Sequence, residues 1–209
     1  MEGKIALEEH FSTPLNNSKW DAKGEETRNG REYTKDIERR LLSPDLCLRE
    51  MDLAGIEFCV MSLTSPGAQS VIDKHEAAKV AQGANDYAAG FIKGHPDRFS
   101  AFAAVALQDP RTAADELERA VSDLGFKGAL INGYSNVGAD EAIVYLDEQP
   151  MWEFWERVPV ERAGVSAPAR AAVQPDARHT RLPRTGRLRV GIHVRDGKPR
   201  DPADAFRPV

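Results

Sequence analysis

Up to about residue 157, short apolar runs alternate with longer amphipathic stretches. Lys4-Ile-Ala-Leu-Glu-Glu9 is an apolar run that ends on polar residues, the pattern of a buried strand stopping at a surface. Residues 11–34 are polar, spotted with Phe11, Trp20 and Tyr33 and broken by Gly24 and Gly30. They read as a long loop, and loops of that length inside a domain are functional lids or disordered. Residues 34–54 carry helical spacing, interrupted at Ser43-Pro44 and closed by Gly55, and Ile56–Ser62 is a second strand. Val71–Gly94 is a long amphipathic helix with Ile72, Ala77, Val80, Ala81, Ala84 and Tyr87 on one face. Phe99–Val105 is a third strand. Asp109-Pro110 then opens a helix, with Asp as cap and Pro at the first helical position, running to Leu124-Gly125. Gly128–Asn132 is a fourth strand, and Met151–Arg157 begins a further helix.

Strands alternating with helices pair in parallel through crossovers. Four such units make the N-terminal half of a TIM-like (β/α)8 barrel, an α/β fold that needs about 250 residues when whole. The competing architecture is an open doubly wound sheet. It would want a glycine-rich phosphate turn after the first strand, where this chain has Glu8-Glu9-His10.

Composition changes the picture at the end of the chain. Overall the 209 residues carry a net charge of −5, but residues 1–157 hold 17 Lys+Arg against 28 Asp+Glu, and residues 158–209 hold 11 against 5. The last segment uses ten Arg and one Lys, contains seven of the 13 prolines, and has Phe206 as its one aromatic. So little apolar surface does not offset the entropy of ordering it. The expected division is therefore a partial barrel over 1–157 and a disordered, aberrant tail over 158–209. The basic charges of the tail are dispersed and lack interleaved aromatics, so nucleic acid is not expected as a partner. No run approaches the ~20 apolar residues of a membrane helix. The start lacks the apolar run of a secretory signal, which makes a cytoplasmic address the expectation. Cys47 and Cys59 sit among apolar neighbours and read as reduced packing residues.

Candidate chemistry concentrates at the end of the first strand. Alternation puts Ala6, Glu8 and His10 on one face and Ile5, Leu7 and Glu9 on the other. In a barrel Ile5 and Leu7 would face the helices. Glu8 and His10 would project inward at the carboxyl end of the strand, where barrel active sites lie. A carboxylate and an imidazole two residues apart can meet one divalent ion, although the same pair equally forms a plain hydrogen bond or two solvated side chains. Asn132, after the fourth strand, and Ser65, in the Thr64-Ser-Pro-Gly67 turn after the second, are each either a ligand contact or part of a turn. His95 reads as a loop residue capping helix or strand ends, and His75 as a solvated helix position.

These residues resemble a known family. Lys4-Ile-Ala-Leu-Glu-Glu-His-Phe11, Pro96-Asp-Arg-Phe-Ser-Ala-Phe-Ala103, Leu107-Gln-Asp-Pro110 and Leu124-Gly-Phe-Lys-Gly-Ala-Leu-Ile-Asn-Gly133 are similar, in order and spacing, to the amidohydrolase-superfamily decarboxylases of aromatic acids. That group includes the 2,3-dihydroxybenzoate and γ-resorcylate decarboxylases and is related to aminocarboxymuconate semialdehyde decarboxylase. The resemblance covers residues 1–157. It implies a carboxy-lyase: non-oxidative decarboxylation of a hydroxybenzoate with a divalent ion (Zn, Mn or Mg), Glu8 and His10 being first-strand metal ligands. It further implies a small aromatic carboxylic acid as substrate and homo-oligomers; the loop carrying Trp20 is expected to help enclose the substrate, with Ser65 and Asn132 as the other candidate substrate contacts. The family's other ligands, a His after the fifth strand and an Asp after the eighth, belong to the second half of the barrel, as does the proton donor. The catalytic acid is thus unassigned in this chain.

Where the family has Tyr-Leu-His-Pro-Arg on its fifth strand, this chain has the Arg- and Pro-rich tail. Arg162–Ala172 is compatible, codon by codon in the neighbouring frame, with Val-Pro-Val-Tyr-Leu-His-Pro-Arg-Glu-Pro-Leu, and Arg181–Ile192 and Ala205–Val209 fit further family words the same way. The expectation is a frameshift between about Val158 and Arg162, which the coding DNA would test. Two other readings compete with the decarboxylase: a superfamily hydrolase acting through a metal-bound water, and a truncated, unstable fragment without turnover. The hydrolases commonly carry His-x-His on the first strand, so Glu8-x-His10 favours the decarboxylase.

Overall fold

The computed structural model describes residues 3–19, 23–138, 142–158 and 164–166. The first strand, β1 (Lys4–Phe11), is followed by three helices, α1 (Pro14–Asn17), α2 (Lys23–Asn29) and α3 (Arg31–Leu41); α1, α2 and the start of α3 lie where a long loop was expected, while the rest of α3 falls in the stretch 34–54 read as helical. Local chemistry accounts for this difference. Thr13 caps α1 by accepting a hydrogen bond from the Asn16 amide at 3.1 Å, and Pro14 takes the first position. In α3, Asp36 pairs with Arg39 and Arg40, each at 2.7 Å, one helical turn away. The short polar sequences of α1 and α2 carry no apolar stripe, so a search for hydrophobic periodicity passes over them.

The remaining elements follow the expected alternation. They are α4 (Pro44–Ala54), β2 (Ile56–Leu63), α5 (Lys74–Gly94), β3 (Phe99–Ala101), α6 (Pro110–Ser122) and β4 (Gly128–Leu130). A hairpin that was not expected comes next, β5 (Tyr134–Val137) antiparallel to β6 (Ala142–Tyr145), and then α7 (Trp152–Arg157) and β7 (Gly164–Ser166). Gly55 ends α4 in the left-handed region at φ 67°, the conformation that stops a helix at least cost when the residue is glycine. Asp73 caps α5 through the amides of His75 and Glu76, and His95 closes it, its carbonyl accepting from the amides of Arg98 and Phe99.

β1, β2 and β3 pair in parallel in that order. The chain just past β3 carries the sheet on to β4: the Ala103 amide donates to Gly128 O at 2.7 Å and the Leu130 amide to Ala103 O at 3.1 Å. β4 in turn pairs with β7, also in parallel. The third strand is shorter than its apolar run because Asn85 of α5 replaces the ladder beyond it. The Asn85 amide group donates to Ala104 O at 2.9 Å while its carbonyl accepts from Ala104 N at 2.8 Å. Five parallel strands thus stand in chain order. Right-handed crossovers then put the connecting helices on one side, and among the described strands there is no reversal of strand order of the kind that defines a doubly wound sheet.

On that helix side lies one apolar cluster. Cys59, Met61 and Leu63 of β2 meet Met51 of α4, Ala77, Val80, Ala81, Ala84 and Ala88 of α5, Leu117 of α6 and Phe154 of α7. The small residues on α5 let it lie close against the sheet. Both cysteines are free, and Cys59 is wholly buried, as their apolar neighbours suggested. Val158 is buried, and β7 falls inside the segment 158–209 that the sequence assigns to an aberrant tail; residues 159–163 and 167–209 lie outside the described residues. Among the described residues no helix is long and apolar enough to cross a membrane.

Candidate functional site

The carboxyl ends of the parallel strands carry the polar side chains. β1 does not alternate as its sequence implies. Three residues of β1 span two of β2, with Ala6 opposite Cys59 and Glu9 opposite Met61, so the strand is irregular between Ala6 and Glu9. The extra residue shifts the alternation by one. Ala6, expected in the barrel interior, packs against the helix-side cluster, while Ile5 and Leu7, expected against the helices, are 63% and 57% exposed. Beyond the irregularity Phe11 stands opposite Leu63 and joins the helix-side core. His10 stands opposite Ser62 and faces the other way, toward the barrel interior.

His10 is exposed, with its Nδ1 3.4 Å from the hydroxyl of fully buried Ser62. That hydroxyl also donates to the Glu9 carbonyl at 3.2 Å, so β2 supports both the ring and the end of β1 that carries it. Ser62 gave no sequence signal, because a lone serine at a strand end is indistinguishable from a solvated one. Glu8 lies in β1, and its side chain is outside the described residues, as is the whole of Trp20. Among the described residues no three His, Cys, Asp or Glu side chains are grouped as a metal would need.

A second polar group forms where the turns after β2 and β4 meet. Asn132, 7% exposed, points its amide at the carbonyl of buried Gln69 across 3.5 Å. Gly67 closes the contact from the third side: at φ 63°, a Cβ there would stand 3.4 Å from both the Asn132 amide and the Gln69 carbonyl. The structure thus brings Asn132 to the Ser65-containing turn, and Ser65 itself is exposed one residue before cis Pro66. Gln69 Nε2 and Ser135 Oγ are buried without a hydrogen-bond partner among the described residues, so the strand ends keep unspent donors. Gln69 and Ser135 escaped sequence reasoning. Neither has a motif, and only the approach of the two turns gives them significance. His75 is solvated as expected.

Parallel strands in chain order, helices on one side and polar residues at the strand carboxyl ends define the first half of a (β/α)8 barrel with its active-site face. The chain belongs to the amidohydrolase family, whose model matches residues 42–167. It is 43% identical over 161 residues to the γ-resorcylate decarboxylase of Rhizobium sp. (strain MTP-10005), a match covering 76% of this chain and 47% of that protein. The γ-resorcylate decarboxylase of Rhodococcus jostii (strain RHA1) is 41% identical over 164 residues, covering 76% of this chain and 48% of that protein. Among solved structures, a dihydroxybenzoic acid decarboxylase from Polaromonas sp. JS666 with bound manganese and the inhibitor 2-nitroresorcinol superposes with a TM-score of 0.74 at 38% identity. That match covers 85% of this chain and 52% of the other. A 2,6-dihydroxybenzoate decarboxylase complexed with 2,6-dihydroxybenzoate gives 0.75 at 39%, over 85% and 53%. The chain therefore spans about half the length of the relatives it matches.

Proposed function

We propose that this chain carries the first-strand portion of the metal centre, and part of the substrate pocket, of a carboxy-lyase that removes carbon dioxide from a dihydroxybenzoate-type acid. The observation that supports it most is the exposed, inward-facing imidazole of His10 at the carboxyl end of β1, in a half barrel 43% identical to a γ-resorcylate decarboxylase. Glu8 and His10 would hold the ion. An imidazole nitrogen and a carboxylate oxygen suit zinc, manganese or magnesium in falling order of nitrogen preference, and manganese is the ion bound in the Polaromonas relative. When bound, the ion supplies positive charge that fixes the acid's carboxylate and ortho-hydroxyl oxygens and stabilises charge as it shifts in the reaction.

The chain's own residues would orient the ring and exclude water. Ser62 holds the His10 ring on the interior side. Asn132, kept in place by Gln69 and Gly67, would offer an amide to a hydroxyl or carboxylate oxygen, with Ser65 at the mouth; the enclosing role proposed for Trp20 rests on the family resemblance. On the family resemblance, the remaining ligands and the acid that protonates the ring carbon come from the other half of the barrel. The division into a barrel half over 1–157 and an out-of-frame segment over 158–209 belongs to the same proposal, as do a cytoplasmic address and a homo-oligomer of the intact enzyme. Manganese titration of the 209-residue chain followed by calorimetry tests the ligand assignment. Wild type should bind weakly, as two ligands without a closed shell do, and His10→Ala should lose at least tenfold in affinity. Equal binding by both would remove His10 from the site.

A further inference from the structure

Three sulfur atoms meet in the helix-side core. Cys59 stands on β2 opposite Ala6 of β1 and Phe99 of β3, wholly buried in the cluster that the helices cover. Met61, two residues along, shares that face, and its Sδ lies 3.3 Å from Cys59 Sγ. Cys47 reaches them from α4. It follows the first turn of that helix, where its amide donates to Ser43 O, and it packs half-buried against the same cluster. A crevice with room for about one water molecule leads to Cys47 and Met61 past His10, Arg40 and Tyr87. The Cys59 thiol turns toward the Cys47 sulfur. That contact holds the Cys47 thiol below its ordinary value and pushes Cys59 well above its own, with burial and the Glu9 carboxylate adding to the rise at Cys59. Burial, Glu9 and Glu50 act the other way on Cys47 without cancelling the contact.

We infer that Cys47 and Cys59 are a redox pair: a peroxide oxidises Cys47, and Cys59 then closes a disulfide that ties α4 to β2. Exposure and neighbourhood divide the roles. The thiolate is the attacking form, so the half-buried Cys47 reacts first, and the wholly buried Cys59 meets only a partner already beside it. An accessible thiol next to a resolving one is the arrangement that reversible thiol oxidation requires. In the first step the Cys47 sulfur attacks one oxygen of hydrogen peroxide. An S–O bond forms, the O–O bond breaks, and the departing hydroxide leaves as water with the Cys47 proton. The Cys59 sulfur then attacks the sulfenic sulfur of Cys47. An S–S bond forms, the S–O bond breaks, and hydroxide leaves as a second water with the Cys59 proton. Two electrons pass from the two sulfurs to the peroxide, and exchange with a dithiol restores both thiols. The bond closes the end of α4, the Gly55 turn and the start of β2 into one ring. The pair belongs to the core and reacts whether or not the strand ends hold a metal, so it stands apart from the decarboxylase reading.

Peroxide treatment of the reduced 209-residue chain, followed by alkylation and trypsin digestion without reductant, tests the pair by mass spectrometry. Trypsin separates the cysteines, because Cys47 falls in Leu41–Arg49 and Cys59 in Glu50–Lys74. The expected product is these two peptides joined, lighter by two hydrogens than their sum and released by dithiothreitol. Cys47→Ser removes the half-buried thiol and should slow the loss of the remaining one at least tenfold. Cys59→Ala keeps the reactive thiol without its partner. It should form no link, and dimedone should label Cys47 as the sulfenic acid. Far-UV circular dichroism matching wild type establishes that each variant is folded, and Cys47→Ser, at the less buried position, decides the matter if Cys59→Ala is not. Two thiols still open to alkylation after peroxide, oxygen added to Met61 with no link, a link found between chains instead of within one, or a Cys47→Ser chain that loses Cys59 as fast as wild type would each overturn the inference.

Discussion

At the residue scale, Asn85 does what no amphipathic pattern advertises. It is buried on the sheet-facing side of α5, bonds both backbone groups of Ala104, and donates to Glu116 at 2.7 Å. Asn85→Ala strands a buried N–H and a buried C=O just past β3. The expected cost is about 2–4 kcal/mol, measured as a lower urea midpoint with unchanged slope, whereas removing an exposed polar residue such as His75 should leave the midpoint unmoved. His10 shows the converse. Its residue type and position at the strand end were legible from the sequence. Its support by Ser62, 52 residues away, was not, because only pairing of β1 with β2 sets those two side chains together. Ser62→Ala should keep the fold and weaken manganese binding less than His10→Ala does, since it frees the ring without removing the ligand atom.

At the scale of elements, helices were found where apolar periodicity is strong and missed in the short polar stretches of α1 and α2. The Asp109 cap stands where the sequence reading put it, whereas the Asp73 cap of α5 was not singled out, and both carry a pH dependence. The amide of Thr112 donates to the Asp109 carboxylate at 3.2 Å and, with Lys74 also at 3.2 Å, holds that carboxyl below its ordinary value. A carboxyl whose value falls on folding contributes stability above the unfolded value of 3.8, and that contribution is lost as pH falls through the native value. Asp109→Ala should cost about 1 kcal/mol at pH 7, seen as a lower thermal midpoint. The difference between the two proteins should shrink steadily below about pH 4. Persistence of the full difference at pH 2 would mean the aspartate acts through packing and not through its charge. The strand β1 marks the limit of pattern reading at this scale. One extra residue between Ala6 and Glu9 reverses which face Ile5, Ala6 and Leu7 occupy, and nothing in Lys4–Phe11 announces it.

For the whole molecule, the relatives' length sets the expectation. The 209-residue chain should release no carbon dioxide from 2,6-dihydroxybenzoate with added manganese, whereas a chain read in the neighbouring frame after about Val158 should do so. Turnover by the 209-residue chain would show that its own residues complete the site. The coding DNA across Val158 checks the same idea without protein, because codons that do not yield the family words in the adjacent frame would dismiss it.

The sequence by itself determined the alternation of strands and helices, the parallel half barrel, the Asp109-Pro110 start of α6, the Gly55 end of α4 and the residue types at the strand ends. Each of those follows from local periodicity, capping and turn chemistry, which act over a few neighbouring residues. Tertiary structure alone decided which face of β1 holds Ile5 and Leu7, that Ser62 meets His10, and that Gln69 and Gly67 close around Asn132. These depend on strand register and on the approach of turns more than fifty residues apart, and side-chain direction in a sheet reverses with a slip of one residue.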